Sequence, residues 1–218
     1  MKRSYIIVGI LLLCFATAGC KTQQGQANNS TITLPETNET TMDLTFDEAS
    51  EGWEFALGKW ERRQSQEQQW VLAQTETTEQ YPVALYKKNR FSDLDVTVRF
   101  KPLSGSEDAS GGLIIRAQNS KNYYLVRGNS LEGNFRLYAV VQGSRKELVS
   151  VNVEPPKLGE WHTIRLIMIG SQIEAYLDGD LLINFTDKLY ADGWIGLWTK
   201  ADSVTEFSDL KIKGSIVQ

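Results

Sequence analysis

The chemically richest residues of the chain are arginines, tyrosines and small amides that fall close together in the sequence. Arg116 ends the run Gly111-Gly112-Leu113-Ile114-Ile115-Arg116, and Tyr124 and Arg127 lie in Asn122–Arg127. The segment Gly128-Asn129-Ser130-Leu131-Glu132-Gly133-Asn134 follows, and Phe135–Ala139 carries Tyr138. With Trp198 from a later run, Arg116, Tyr124, Arg127, Asn129, Glu132, Asn134 and Tyr138 suit carbohydrate recognition. Aromatic rings offer a flat apolar surface to a pyranose, while Arg, Asn and Glu offer paired donors and acceptors to its hydroxyls. A plainer reading competes with this one. Arg and Tyr on a sheet surface are commonly cross-strand partners, and Asn and Gly commonly only turn the chain.

Other chemistries find less support. His162 is the one histidine, and a His beside Trp161 at a strand start reads as structural. One His and no pair of thiols argue against a zinc centre. No phosphate-cradling glycine loop and no nucleophile elbow occur. A net charge of −4 lacks the basic footprint of nucleic-acid binding.

These side chains can act together only if strands place them. Period-two alternation runs through Leu94–Phe100, Phe135–Ala139, Ile164–Met168 and Ile173–Leu177. Asp178-Gly179 is a hairpin signal leading into Leu181–Phe185. Further strands are expected at Asp43–Phe46, Gly58–Arg62, Trp70–Gln74, Val83–Lys87, Leu113–Ala117, Tyr123–Arg127, Glu147–Val151, Trp194–Thr199 and Thr205–Ile212. No stretch has a convincing helical period. The pattern predicts an all-β fold of two antiparallel sheets packed face to face, with the terminal strands paired. Strand phase puts Leu113, Ile115 and Ala117 on one face and Ile114 and Arg116 on the other. It puts Phe135, Leu137, Ala139 and Val141 in the core and turns Arg136 and Tyr138 outward. Trp161 and Trp194 are expected in the core.

The N-terminal region has a different character. Lys2 and Arg3 precede an apolar run, Tyr5–Ala16, that is shorter than the ~20 residues of a membrane span. Thr17-Ala18-Gly19-Cys20 follows and resembles the bacterial lipobox, with Thr17 where Leu is usual. The expectation is a signal peptide over 1–19, lipidation at Cys20, a polar tether over 20–41 and one domain over 42–218. Cys14 leaves with the signal, so the mature chain has one thiol and no internal disulfide. Lys21 replaces the Asp that retains many lipoproteins at the inner membrane, which favours the outer membrane in a host that has one.

Trp161-His162-Thr163-Ile164-Arg165, Ile173–Gly179, Gly193-Trp194-Ile195-Gly196-Leu197-Trp198-Thr199 and Phe207–Ile212 resemble the C-terminal half of laminin-G and concanavalin A-like jelly rolls. Gly111–Arg116 and Asn122–Arg127 further resemble a bacterial branch described as 3-keto-disaccharide hydrolase-like and related to family-16 glycoside hydrolases. The resemblance covers about residues 42–214 and implies a jelly-roll sandwich. Such folds often hold a calcium ion where the terminal strands meet, which Asp47 and Asp209 would ligate as hard oxygen donors. The alternative is that both acids are solvated strand ends. Family-16 enzymes place their acids as Glu-x-Asp-x-x-Glu on one strand, and that triplet does not occur here. Glu174 and Asp178 are four apart, but the hairpin accounts for Asp178. Three functions therefore stand: a lipid-anchored module binding carbohydrate or another surface ligand, a glycosidase-like hydrolase acting on 3-keto-disaccharides, and a structural or protein-binding envelope lipoprotein.

Overall fold

A computed structural model describes residues 32–34, 39–47, 51–78 and 80–217. The expected signal peptide, Cys20 and most of the expected tether lie outside the described residues. In chain order the strands are β1 (Glu39–Leu44), β2 (Trp53–Leu57), β3 (Trp60–Gln64), β4 (Trp70–Gln74), β5 (Val83–Ser104), β6 (Ser110–Asn119) and β7 (Asn122–Asn129). They continue as β8 (Asn134–Val141), β9 (Ser144–Asn152), β10 (His162–Ile169), β11 (Gln172–Leu177), β12 (Asp180–Thr186), β13 (Gly193–Trp198) and β14 (Val204–Val217). Every pairing among them is antiparallel. The all-β antiparallel fold expected from the strand pattern, and the jelly roll that the resemblance implies, are what is observed.

The long strand β5 explains how one hydrogen-bonded sheet becomes two layers. Its first part, Val83–Phe91, pairs with β2 and β13; its second, Leu94 onward, pairs with β10 and β14. The front layer therefore runs β2-β5-β13-β6-β7-β8-β9. The back layer runs β12-β11-β10-β5-β14, with β1 and β4 on different stretches of β14. The sequence reading saw β5 as two strands, because Asn89-Arg90 interrupts the apolar alternation.

The main core lies between the layers. Leu113, Ile115, Tyr124, Val126, Phe135 and Leu137 from the front meet Val96, Val98, Phe100, Ile164, Leu166 and Ile173 from the back. Back-layer strands alternate as one-sided strands should: Leu94, Val96, Val98 and Phe100 are buried, while Asp95, Thr97 and Arg99 are half-buried. Front-layer strands do not alternate. Residues 110–117 of β6 and 123–129 of β7 are buried throughout, because the outward face of this layer carries its own apolar cluster. That cluster contains Val83, Leu85, Ile114, Ala117, Tyr123, Leu125, Tyr138, Val140 and Trp198.

Close layer packing needs a glycine at Gly111. A Cβ there would lie 2.4 Å from Phe100 Cδ2, whose ring is fully buried. Gly111→Ala is therefore expected to cost about 1–3 kcal/mol through overpacking, read as a lowered midpoint in thermal unfolding.

The ordered fold begins before residue 42. Glu39, Thr40 and Thr41 pair with Ser215, Gly214 and Lys213. Leu34 is buried, and the Ile32 amide lies 3.4 Å from Glu174 Oε2. Composition alone marks this stretch as polar; backbone pairing with the end of β14 is what orders residues 39–41.

Candidate functional site

The outward face of the front layer is built in rows. Register places Trp198, Gly112, Arg127, Arg136 and Ser150 side by side across β13, β6, β7, β8 and β9. One step along, Ile114, Leu125, Tyr138 and Glu147 form the next row, and Tyr123, Val140 and Arg145 the one after. Gly112 leaves a gap between Trp198 and Arg127. A Cβ there would stand 2.8 Å from Leu125 Cδ1 and 3.2 Å from Arg127 Cβ, so any larger residue narrows the recess.

Polar groups close one end of this face. Arg127 donates from Nη1 to Asn134 Oδ1 at 2.9 Å and from Nη2 to Glu132 Oε2 at 3.0 Å. Asn134 Nδ2 and Arg136 Nη1 donate to the same Glu132 oxygen at 2.8 and 3.1 Å. The Tyr138 hydroxyl is 3.4 Å from both Arg127 Nη2 and Arg136 Nη1. Asn129 shapes the loop rather than facing a ligand with its oxygen. Its Oδ1 accepts the Leu131 and Glu132 amides at 2.8 and 3.0 Å, a local turn that delivers Glu132 to the arginines.

Glu132 is held ionised. Burial alone would raise its pKa, but hydrogen bonds from Asn134 and Arg127, with the fields of Arg127 and Arg136, outweigh it and bring the carboxyl down to about 2. A depressed folded pKa stabilises above the ordinary value of 4.5 and loses that contribution as pH falls toward 2. Stability should therefore decline across that window, and Glu132→Gln should flatten this part of the profile when melting is followed against pH.

Aromatic rings occupy the other end. The Tyr81 and Trp198 rings lie 5.3 Å apart. The Arg145 guanidinium stands over Tyr81, Tyr138 and Trp198 at 4.5, 4.9 and 5.3 Å. Tyr81, Val83 and Tyr123 also line a cleft of about 380 Å³ with Gln80, Lys121 and Gln142, within the range of small-ligand sites.

Six of the eight residues expected to bind therefore meet on or beside this face: Arg127, Asn129, Glu132, Asn134, Tyr138 and Trp198. Arg116 and Tyr124 do not. Arg116 has φ 47° and forms a bulge, shifting register against both neighbours. Its guanidinium instead binds the carbonyls of Ser92, Gly170 and Tyr190, with Nη1 at 2.7 and 2.9 Å from the last two. The same bulge moves Ala117 to the outward cluster with Ile114, against the expected phase. Tyr124 points into the main core, where its hydroxyl donates to Asp187 and accepts the Leu189 amide at 2.8 Å. Both residues pin loops at the far edge of the sandwich.

Several expectations about single residues also change. Val141 is 43% exposed rather than in the core. Trp161 and Trp194 are half-buried and capped by cations, Arg99 and Lys101 over the first and Lys87 and Arg90 over the second. His162 sits at the start of β10 with Nδ1 2.7 Å from Asp178 Oδ2. That pair locks a back-layer hairpin, as the structural reading of His162 and Asp178 expected. Asp209, at φ 50° in a bulge of β14, pairs with Arg99 at 2.9 Å, and Asp47 accepts the Thr45 hydroxyl at 3.0 Å. Calcium needs six to eight oxygens. Among the described residues no three acidic, His or Cys side chains converge to hold a metal.

The sequence reading missed Tyr81, Tyr123 and Arg145 as members of the site. Tyr81 lies in a loop with no period to read. Arg145 was left outside the strand expected at Glu147–Val151, although β9 begins at Ser144.

The family model described as 3-keto-alpha-glucoside-1,2-lyase-like domain matches residues 43–213. The chain belongs to this family. No curated protein matches it by sequence. Among solved structures, a carbohydrate-binding module, CBM66, from Bacillus subtilis is similar at TM-score 0.65 and 19% identity, covering 73% of this chain and 94% of that one. Lectin II from Ulex europaeus is similar at 0.57 and 11%, covering 80% and 98%. A beta-glucanase from Bacillus licheniformis is similar at 0.53 and 12%, covering 80% and 97%. One jelly roll thus hosts a binding module, a lectin and an enzyme, so the family assignment fixes the fold and leaves function to the site.

Proposed function

We propose that the outward face of the front layer binds carbohydrate. One observation carries this reading: one sheet face and the Tyr81 loop beside it bring together four aromatic rings and three arginines, with Glu132 and Asn134 at the rim. Tyr81, the half-buried ring, supplies stacking surface and is backed by the buried rings of Trp198, Tyr138 and Tyr123, while Arg127, Arg136, Asn134 and Glu132 supply donors and acceptors at fixed spacing. The similarity to a carbohydrate-binding module and a lectin supports the same reading.

Binding without turnover is favoured over hydrolysis. A glycosidase needs a carboxyl that stays protonated to give its proton to the leaving oxygen. Glu132 is held ionised by the groups around it. The family match keeps a second reading in play, action on a 3-keto-glucoside, in which a carboxylate would take a proton from the sugar. A glycan panel that includes 3-keto-disaccharides separates the two. Binding with no product is expected; product formation abolished by Glu132→Gln would establish the enzymatic reading, and neither binding nor turnover across the panel would leave the protein-binding lipoprotein.

The proposal extends to the anchor. Cys20 is the lipidated first residue of the mature protein, and the polar stretch after it holds the jelly roll off the membrane, the outer one in a host that has two. Mass spectrometry of the mature N-terminus is expected to find a diacylglycerol adduct on Cys20. An unmodified thiol, or a start at another residue, would overturn the anchor and leave the sugar face untouched.

A further inference from the structure

Arg145 differs from the other arginines of the site. Arg127 and Arg136 share Glu132, and Arg136 also reaches Glu147 at 3.3 Å. Among the described residues, no carboxylate lies within salt-bridge distance of Arg145. Its faces are turned to the rings of Tyr81, Tyr138 and Trp198. Its N–H groups are not all used: Nε and Nη1, which belong to different edges of the guanidinium, are buried and make no hydrogen bond, and neither does Nε of Arg127, a residue only 1% exposed. Buried donors without partners are rare in native structures, and those of a charged group are the most costly.

We infer that the carbohydrate taken by this face is acidic, with a sugar carboxylate seated on the edge of Arg145. The inference rests on the carbohydrate reading and names its substrate class. Three rings surround the guanidinium, and its end, Nη1 with Nη2, is a planar fork. A carboxylate accepts two parallel N–H bonds from such a fork and neutralises its charge. A hydroxyl of a neutral sugar accepts at most with a dipole and leaves the cation uncompensated among aromatic walls. Among the described residues, Glu132 and Glu147 cannot serve, because they already face Arg127 and Arg136. The chain as a whole is acidic at −4; the cationic surplus of this face is a local feature, and it draws anions to this surface rather than to others.

The test compares uronate oligosaccharides with the same chains after reduction of their carboxyls to primary alcohols. The full-length exported protein is expected to bind the acidic series about tenfold or more tighter than the reduced series, with the preference shrinking as salt rises. Arg145→Gln should remove that preference, read as the ratio of the two affinities falling to about one whatever happens to either affinity alone. Arg145→Lys should not restore it, because an ammonium lacks the planar fork. Equal affinity for both series would overturn the acidic-ligand inference and leave the carbohydrate reading standing. No binding to either series or to any neutral glycan would overturn both. Where Arg145→Gln fails to fold, the ratio of the two series on the unaltered protein decides.

Discussion

Arg116→Ala is expected to lower stability by about 3–5 kcal/mol while leaving carbohydrate affinity unchanged in the molecules that remain folded. The guanidinium is 2% exposed and binds three backbone carbonyls from separate segments, at Ser92 within β5 and at Gly170 and Tyr190 in loops. Alanine strands those acceptors, and each buried unmet group costs about 1–3 kcal/mol. For a domain of this size the melting midpoint should fall by roughly 10 °C. Arg116→Lys should recover little, since an ammonium cannot span three carbonyls as a planar fork can. A normal melting curve combined with lost sugar binding would return Arg116 to the ligand site, where strand phase alone had placed it.

Trp198→Ala is the second large effect, and it should strike stability and binding together. The ring is fully buried and lies 5.3 Å from Tyr81, tilted by 38°, with Arg145 above it at a similar distance. Truncating a buried tryptophan costs about 3–5 kcal/mol. Removing this one also frees Tyr81 and Arg145 from the surface that orients them, so affinity should fall about tenfold or more, measured where the variant is still folded. Trp198→Phe retains an aromatic face and should lie between the two proteins on both measures. Unchanged affinity in a folded Trp198→Ala variant would remove the aromatic end from the site.

The contrast between Arg116 and Trp198 shows what the sequence could disclose. Alternation in Leu94–Phe100 and Phe135–Ala139 was enough to read strands and two packed sheets, and the resemblance carried by Trp161–Arg165 and Gly193–Thr199 implied the jelly roll. The hairpin at Asp178-Gly179 followed from local pattern, and the pairing of terminal strands from the habit of two-sheet folds. Arg127, Glu132, Asn134 and Tyr138 were legible as a group because one hairpin, β7 to β8, carries all four. Arg116 was not, since a bulge at φ 47° breaks the two-residue period and nothing in its neighbours' types announces it. Arg145 and Tyr81 were hidden for another reason. They join the site through β9 and a loop, and only the tertiary fold brings a loop tyrosine under an arginine more than sixty positions away.

Unbroken burial along β6 and β7 is the physical sign that was available and went unused. Gly111–Ala117 is too apolar for a one-sided strand, and two-sided strands need a second apolar surface. That surface is the outward cluster on which the candidate site is built. The apolar floor and the charged rim therefore belong to one design: β6 and β7 supply both from adjacent residues, with Gly112 keeping the space between them open.

Amide hydrogen exchange of the protein, with and without the glycan that binds tightest in the panel, tests the central claim most directly. The account predicts slowed exchange concentrated in residues 122–152 of β7, β8 and β9 and in 193–199 of β13. Protection confined to the back layer, β10 to β12, or to the loops held by Arg116, would contradict it.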